Sequence, residues 1–260
     1  MAIPSKEIGQ PSSTKAALLW NISKQLESLT RVMYSNPVYA PPSTTTTTTT
    51  AAPVPGNVDI PASTDFDISG DFTIEMFVRM SNLDGFPRPY SFGAYPAPNA
   101  MSIEGGSLYF WANNAALANG TFSPNIGQWY HICAMGNGST VYLFIDGVEI
   151  ASASYSGSIS SDSLPLTIGY GNEPSSYFNG EMSNFKWSNA AEYSTSGFSV
   201  PTAPLSADAN TVLLIFQGDS LLLELTDNSG NGHDATNTGA TYSTNNPFEA
   251  YQGSLQLGTV

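Results

Sequence analysis

DFTIEMFVRM, residues 71–80, places Phe72, Ile74, Met76 and Val78 on one side of an extended backbone and Thr73, Glu75, Phe77 and Arg79 on the other. Alternation with a period of two over ten residues is a strand signature and fits no helical face. Working outward, QWYHICAM (128–135) and TVYLFIDGVEI (140–150) keep the same habit. The second contains Asp146-Gly147, a pair that tolerates positive φ and marks a hairpin. SLYFWA (107–112), LPLTIGY (164–170), EMSNFKWS (181–188) and TVLLIFQ (211–217) are further short runs set off by Gly, Ser, Asn or Pro. Strands at this spacing, with no helical period between them, predict an all-β body folded as an antiparallel jelly-roll sandwich over residues 56–260. SNAAEY (188–193) is the one helical hint in that body, read as a single turn.

The 260 residues include 41% hydrophobic residues, enough for one large β domain with appendages. The single cysteine, Cys133, leaves no intrachain disulfide, and neither an apolar leader nor an 18-residue apolar run is present. The expectation is a protein made in a reducing cytoplasm, without membrane insertion. A net charge of −14 argues against nucleic acid as a partner, since phosphate recognition needs clustered Lys and Arg. The charge is divided: residues 1–40 balance at +2, the remainder at −16.

PPSTTTTTTTAAPVP (41–55) separates these two parts. Threonine is stiff and has little to bury, and the flanking prolines favour extension, so a linker of up to roughly 45 Å is expected at about 3.1 Å per residue. Ahead of it, residues 14–35 read as a helix that starts among Ser and Thr after Pro11 and stops at Asn36-Pro37. Leu19, Ile22, Leu26, Leu29 and Met33 recur at intervals of 3, 4, 3 and 4, an a/d seam whose Leu/Ile pattern leans toward more than two strands. Residues 1–40 are therefore expected to attach to a larger assembly or to self-associate, with a homotrimer favoured; packing of the helix on its own domain is the alternative.

DFTIEMFVRM, WYHICAM, VYLFIDGVEIA, LTIGYG, FNGEMSNFKWSNAAEY and FSVPTAPL, in that order, resemble the laminin G-like branch of the concanavalin A-like lectin and glucanase fold over about residues 56–205. Such sandwiches carry lectins, hydrolases and structural modules alike. The stretch TVLLIFQGDSLLLELTDNSGNGHDATNTGATYS (211–243) resembles strands that open many laminin G-like domains, yet here it comes last. Residues 211–244 are accordingly expected to complete the sandwich, as in a circular permutation, with Val212–Phe216 and Leu221–Leu223 covered rather than left as an apolar edge. MAIPSKEIG and LLWNISKQLESLTRV resemble the N-terminal segments of virion appendage proteins of tailed bacteriophages.

Three chemistries follow from the resemblance. Catalysis of the glucanase kind needs two carboxylates from an E-x-D-x-x-E strand, and no such triplet occurs; Glu75 and Glu181 lack an acid two positions on. His131 and His233 have no nucleophile motif beside them, so no catalytic residue is expected. Laminin G-like domains often hold Ca²⁺, for which Asp227, Asn228, Asn231 and Asp234, or Asp65, Asp67 and Asp71, offer hard oxygens; the same residues are ordinary turn formers, and that reading is preferred. No zinc or iron pattern exists. Sugar binding uses aromatic faces beside hydrogen-bonding side chains, and Tyr95, Trp111, Asn113, Asn114, Tyr170, Asn172 and Tyr177 lie in or beside loops suited to it.

The reading is thus a non-enzymatic virion structural protein, a head fibre, decoration or tail appendage at the virion surface. It would contact other virion proteins through residues 1–40 and display a lectin-like domain toward host-surface glycans. A cellular glycan-binding lectin or adhesin, and then a glycoside hydrolase, are the alternatives.

Overall fold

The computed structural model describes residues 55–155, 158–248 and 253–258, together with Ile22. The chain divides into two compact units, Met1–Thr50 and Ala51–Val260. In the first, Ile22 is helical and 46% exposed, while Leu19, Leu26, Leu29 and Met33 of the seam and residues 41–54 of the linker lie outside the described residues.

The second unit is a sandwich of two antiparallel sheets, as the alternating runs imply. One sheet orders its strands β13-β1-β10-β3-β4-β5-β6. These are β1 (Asn57–Ile60), β3 (Tyr90–Phe92), β4 (Asn99–Glu104), β5 (Ser107–Ala112), β6 (Ala115–Thr121), β10 (Leu166–Ile168) and β13 (Thr236–Thr238). The other orders β14-β15-β11-β2-β7-β8-β9 and adds β12, paired with β11. It consists of β2 (Asp71–Met80), β7 (Trp129–Asn137), β8 (Thr140–Ile145), β9 (Val148–Ser154), β11 (Gly180–Ser188), β12 (Thr211–Ile215), β14 (Thr241–Ser243) and β15 (Ser254–Leu257).

Phe72, Ile74, Met76 and Val78 of β2 are all fully buried in the core between the sheets. At its centre Trp187 of β11 meets Tyr90 and Phe92 of β3 edge to face, each at 5.9 Å between ring centroids. Such tilted pairs set positive ring edges on negative faces and add to the gain from burial.

The opposite face of β2 is also covered. Residues 189–198 cross it, and Cys133, Met135 and Phe144 pack there against Ala191, Tyr193 and Phe198. Beneath this cover Glu75 accepts from Tyr193 Oη at 2.6 Å and meets His131 Nε2 at 2.9 Å. The covering segment holds no helix among its residues, so SNAAEY is not the turn expected; the Thr73 hydroxyl instead donates to the Ala190 carbonyl at 2.7 Å.

β11 is edged by β2 on one side and by two different strands on the other. β15 pairs Gly180–Met182, and β12 pairs Phe185–Ser188. Asn184, at φ 52°, marks the change of partner. Its backbone N–H donates to Phe216 O at 2.9 Å, and its side-chain oxygen accepts from Leu205 N and Gln217 Nε2. Residues 211–244 therefore place β12 and β14 in one sheet and β13 in the other. Leu221–Glu224 forms a short helix, α1, not a strand continuation; Leu222 is 76% exposed and only the Glu224 side chain is buried.

Candidate functional site

On the outer face of the β3-β4-β5 region lies a cleft of about 330 Å³ lined by Phe86, Arg88, Tyr95, Ser102, Glu104, Trp111 and Glu173. Strand alternation builds its floor. Met101, Ile103, Leu108 and Phe110 point into the core, which turns Ser102, Glu104, Tyr109 and Trp111 to the other face. Trp111 stands opposite Ala100 and Tyr109 opposite Ser102. Alanine leaves room for the indole to lean along the diagonal, and Trp111 Nε1 donates to Ser102 Oγ at 2.9 Å. A register shift between Phe110 and Trp111 against β6 adds local twist under the ring.

Tyr95, 58% exposed, meets Trp111 nearly perpendicular at 5.4 Å. Tyr109 stacks on Trp111 at 6.2 Å but does not line the cleft. Tyr95 and Trp111 thus form one wall without being sunk in the core.

The opposite wall is charged. Residues 86–89 lie along the 169–178 loop, where Phe86 N donates to Ser175 O, Arg88 N to Ser176 O, and Gly169 N to Pro89 O. This brings Arg88, only 3% exposed, to Glu173, with Nη2 to Oε1 at 2.8 Å. The same oxygen accepts from Tyr95 N at 3.3 Å. Burial lowers the Arg88 pKa from its ordinary value, and the charges of Glu173 and Glu104 pull in the opposite direction. Gly171 sits against the Arg88 stem, and a Cβ there would fall 2.3 Å from Arg88 Cδ. No larger residue fits without moving the arginine.

Of the residues singled out in the sequence, Tyr95 and Trp111 line this cleft and the others do not. Asn113 and Asn114, at φ 51° and 65°, form the two-residue turn between β5 and β6, where both positions need left-handed backbone. Asn113 Nδ2 reaches Ser158 O at 3.2 Å, tying that hairpin tip to the neighbouring segment. Tyr170 and Tyr177 stack on each other at 4.1 Å and brace the 170–177 loop; Tyr177 also lines a second cleft of about 150 Å³ with Pro55, Asp84, Gly85, Ser175 and Asn179. Asn172, at φ 57°, is exposed in that loop, and the side chain the loop sends to the main cleft is Glu173. Arg88, Ser102, Glu104 and Glu173 carried no local signal beyond the alternation of β4.

The side chains of the oxygen-rich stretches are engaged in turn and loop hydrogen bonds. Both Asp227 oxygens are taken: Oδ1 accepts from Leu214 N and Ser229 N, and Oδ2 from Ser229 Oγ and His233 N. Burial works to raise the Asp227 pKa, but these donors together hold it below the usual carboxylate range. Asp234 accepts from Asp227 N, Asn231 Nδ2 donates to Thr211 O and Val212 O, and Asp65 meets His233 at 3.0 Å. Asp67 accepts from Ser161 N at 2.6 Å. Among the described residues no three His, Cys, Asp or Glu side chains gather in one place.

Glu75 and Glu181 are equally committed. Glu181 lies level with Arg79, four residues along β2 from Glu75 on the same face, which separates the two backbone positions by about 13 Å at strand spacing, and each carboxylate is held by its own separate partners. Arg79 Nη1 meets Glu181 at 2.6 Å, and Ser243 Oγ and Asn245 Nδ2 also donate to it.

Comparison with solved structures finds similarity to a protein of Bacteroides ovatus whose proposed role is carbohydrate binding, with a TM-score of 0.59 at 13% identity, covering 70% of this chain and 56% of that one. Domains LG4-5 of the mouse laminin α1 chain match with a TM-score of 0.39 at 19% identity, covering 58% of this chain and 47% of that one. This chain thus spans about half the length of each of these structures. No curated protein matches the sequence. The model of the concanavalin A-like lectin/glucanases superfamily, in its laminin G form, matches residues 54–195, more than half of the chain, which therefore belongs to that family.

Proposed function

We propose that the cleft beside Trp111 binds carbohydrate and that the chain is a non-enzymatic, glycan-binding display protein. The observation that carries this reading is the Tyr95–Trp111 pair, two rings set perpendicular at 5.4 Å above polar side chains in a concave, half-open space. Aromatic faces accept the apolar C–H faces of sugar rings, while Ser102, Glu104 and Glu173 offer acceptors for hydroxyls. The separate positions of Glu75 and Glu181, and the distinct partners that hold each, favour binding over hydrolysis.

In its finer form, the proposal places the protein on the surface of a bacteriophage virion, as a head fibre, decoration or tail appendage. Residues 1–40 would join it to other virion proteins and to two further copies, residues 41–55 would act as a spacer, and the cleft would meet a host-surface glycan. The resemblance of MAIPSKEIG and LLWNISKQLESLTRV to appendage segments, the a/d seam and the charge division at the threonine run support this.

A glycan array probed with the full chain and with Trp111→Ala tests the binding. Recognition of a defined set of glycans, lost in the variant, is expected; binding unchanged by Trp111→Ala would overturn the assignment of the cleft. Sedimentation of the full chain is expected to give a trimer, and a monomer that also fails to join any particle would overturn the virion form.

A further inference from the structure

We propose that this cleft selects its sugars by charge, preferring amino sugars with a free ammonium group, accepting neutral ones and rejecting uronic, sialic and sulfated ones, with Glu104 as the deciding residue. The inference rests on the reading of the cleft as a carbohydrate site.

Three charged side chains line the space, Arg88, Glu104 and Glu173, a surplus of one negative charge. The cation is out of reach rather than exposed. Arg88 is almost wholly buried, its Nη2 is held by Glu173 at 2.8 Å, its Nη1 points to Ser91 Oγ at 3.4 Å, and its Nε, which has no hydrogen-bond partner among the described residues, is itself buried. The indole N–H of Trp111 is equally committed, donating to Ser102. A carboxylate or sulfate entering the cleft would therefore find the strongest donors occupied or buried, and would meet a surplus like charge.

That charge belongs to Glu104. Glu173 accepts from both Arg88 and Tyr95 N, whereas the one hydrogen bond Glu104 receives among the described residues is a long one, from Ser102 Oγ at 3.4 Å. Glu104 is half-buried at the end of β4, and its carboxylate has little of its hydrogen-bonding capacity taken up by other described residues. Such a group accepts two hydroxyls of a diol or, with greater strength, an ammonium. A ring stacked on the aromatic wall would bring its substituents to this carboxylate, because Trp111 and Glu104 flank Ser102 on the same face.

The test is an array of glycans grouped as amino-bearing, neutral and anionic, read with the full chain, with Glu104→Gln and with Trp111→Ala, and followed by calorimetry on the oligosaccharides that bind. Amino-bearing ligands are expected to bind about fivefold to tenfold more tightly than their N-acetylated counterparts, the size of one partly screened charge contact. Glu104→Gln should bring the two groups within about twofold of each other, because the amino-bearing ligands lose the charge contact that the N-acetylated ones never had. Trp111→Ala keeps the charge of the chain and should abolish binding in both groups, which separates the cleft from general attraction to an acidic protein. Anionic glycans bound as tightly as neutral ones, or a preference unchanged in Glu104→Gln, would overturn the charge selection and leave the carbohydrate reading standing. No Trp111-dependent binding in any group would overturn both.

Discussion

Arg88 and Glu173 meet at 2.8 Å across 85 positions of sequence, with the guanidinium almost wholly buried and the carboxylate about one-quarter exposed. This pair fastens the 170–177 loop to the approach of β3 and sets the charged wall of the cleft. Removing one partner of such a pair leaves the other desolvated and alone, which costs more than the pair itself contributes. Glu173→Ala is expected to destabilise the domain by about 2 to 4 kcal/mol, seen as a lower urea midpoint with an unchanged slope. A loss of under about 0.5 kcal/mol would mean that Arg88 reaches water by another route.

The Trp111–Ser102 hydrogen bond orients the indole and uses up its only donor. Ser102→Ala is expected to leave the aromatic faces in place and to lower glycan affinity only about twofold to fivefold, against a complete loss in Trp111→Ala. Calorimetry on both variants with one bound oligosaccharide checks the ranking.

Tyr193 donates to the buried Glu75 carboxylate at 2.6 Å, while Phe198 stacks on its ring at 3.7 Å. Burial first, and then the neighbouring Glu75 charge, hold the Tyr193 hydroxyl far above the usual phenol range, so it stays a donor at every ordinary pH. Tyr193→Phe keeps the stack and removes the donor, with an expected loss of about 1.5 to 3 kcal/mol in chemical denaturation.

Glu224 of α1 is fully buried, and neither of its oxygens has a well-aligned hydrogen-bond partner, the Gly218 backbone N–H being near but poorly aimed. Burial raises its pKa from 4.5 to about 8, Asp219 adds to the rise, and the Gly218 backbone N–H opposes it. The folded protein therefore keeps a proton that the unfolded chain releases. Between pH 4.5 and about 8 this group makes stability fall as pH rises, by up to about 1.4 kcal/mol per unit, and its effect levels off above that. Below pH 4.5 both states hold the proton and the contribution is constant. Glu224→Gln is expected to flatten this slope and to be more stable than the parent at pH 8, as measured by thermal unfolding across the pH series.

Much of the sandwich was legible because one face of each strand must be apolar: Phe72, Ile74, Met76 and Val78 alternate in the sequence and are buried in the structure. The burial of Thr73, Glu75 and Phe77 on the other face was not legible. It is due to residues 189–198 and Phe248, more than a hundred positions away, and alternation carries no record of such a cover. Leu221–Leu223 misled for a related reason. Three leucines look like strand or core, yet they form α1 and leave Leu222 and Leu223 exposed, with Glu224 inside. In the cleft, Tyr95 and Trp111 were visible as aromatics among Pro, Asn and Ala. Asn113 and Asn114 were visible too, but for their turn geometry. Arg88, Glu104 and Glu173 come together only through pairing of distant segments, and no local spacing announces that.

The double edge of β11 has a consequence for how the protein is made. One half of that edge waits for Thr211–Ile215 and the other for Ser254–Leu257, while β1 needs Thr236–Thr238 and Gly56 bonds to Gly258. A ribosome releasing the chain in order exposes an open strand edge until these late segments emerge, so neither sheet can close during early synthesis. Crowded nascent copies can meet at that edge before each chain supplies its own Ser254–Leu257. The time between translating residue 188 and residue 257 is thus the interval in which copies compete with the chain's own tail for β11.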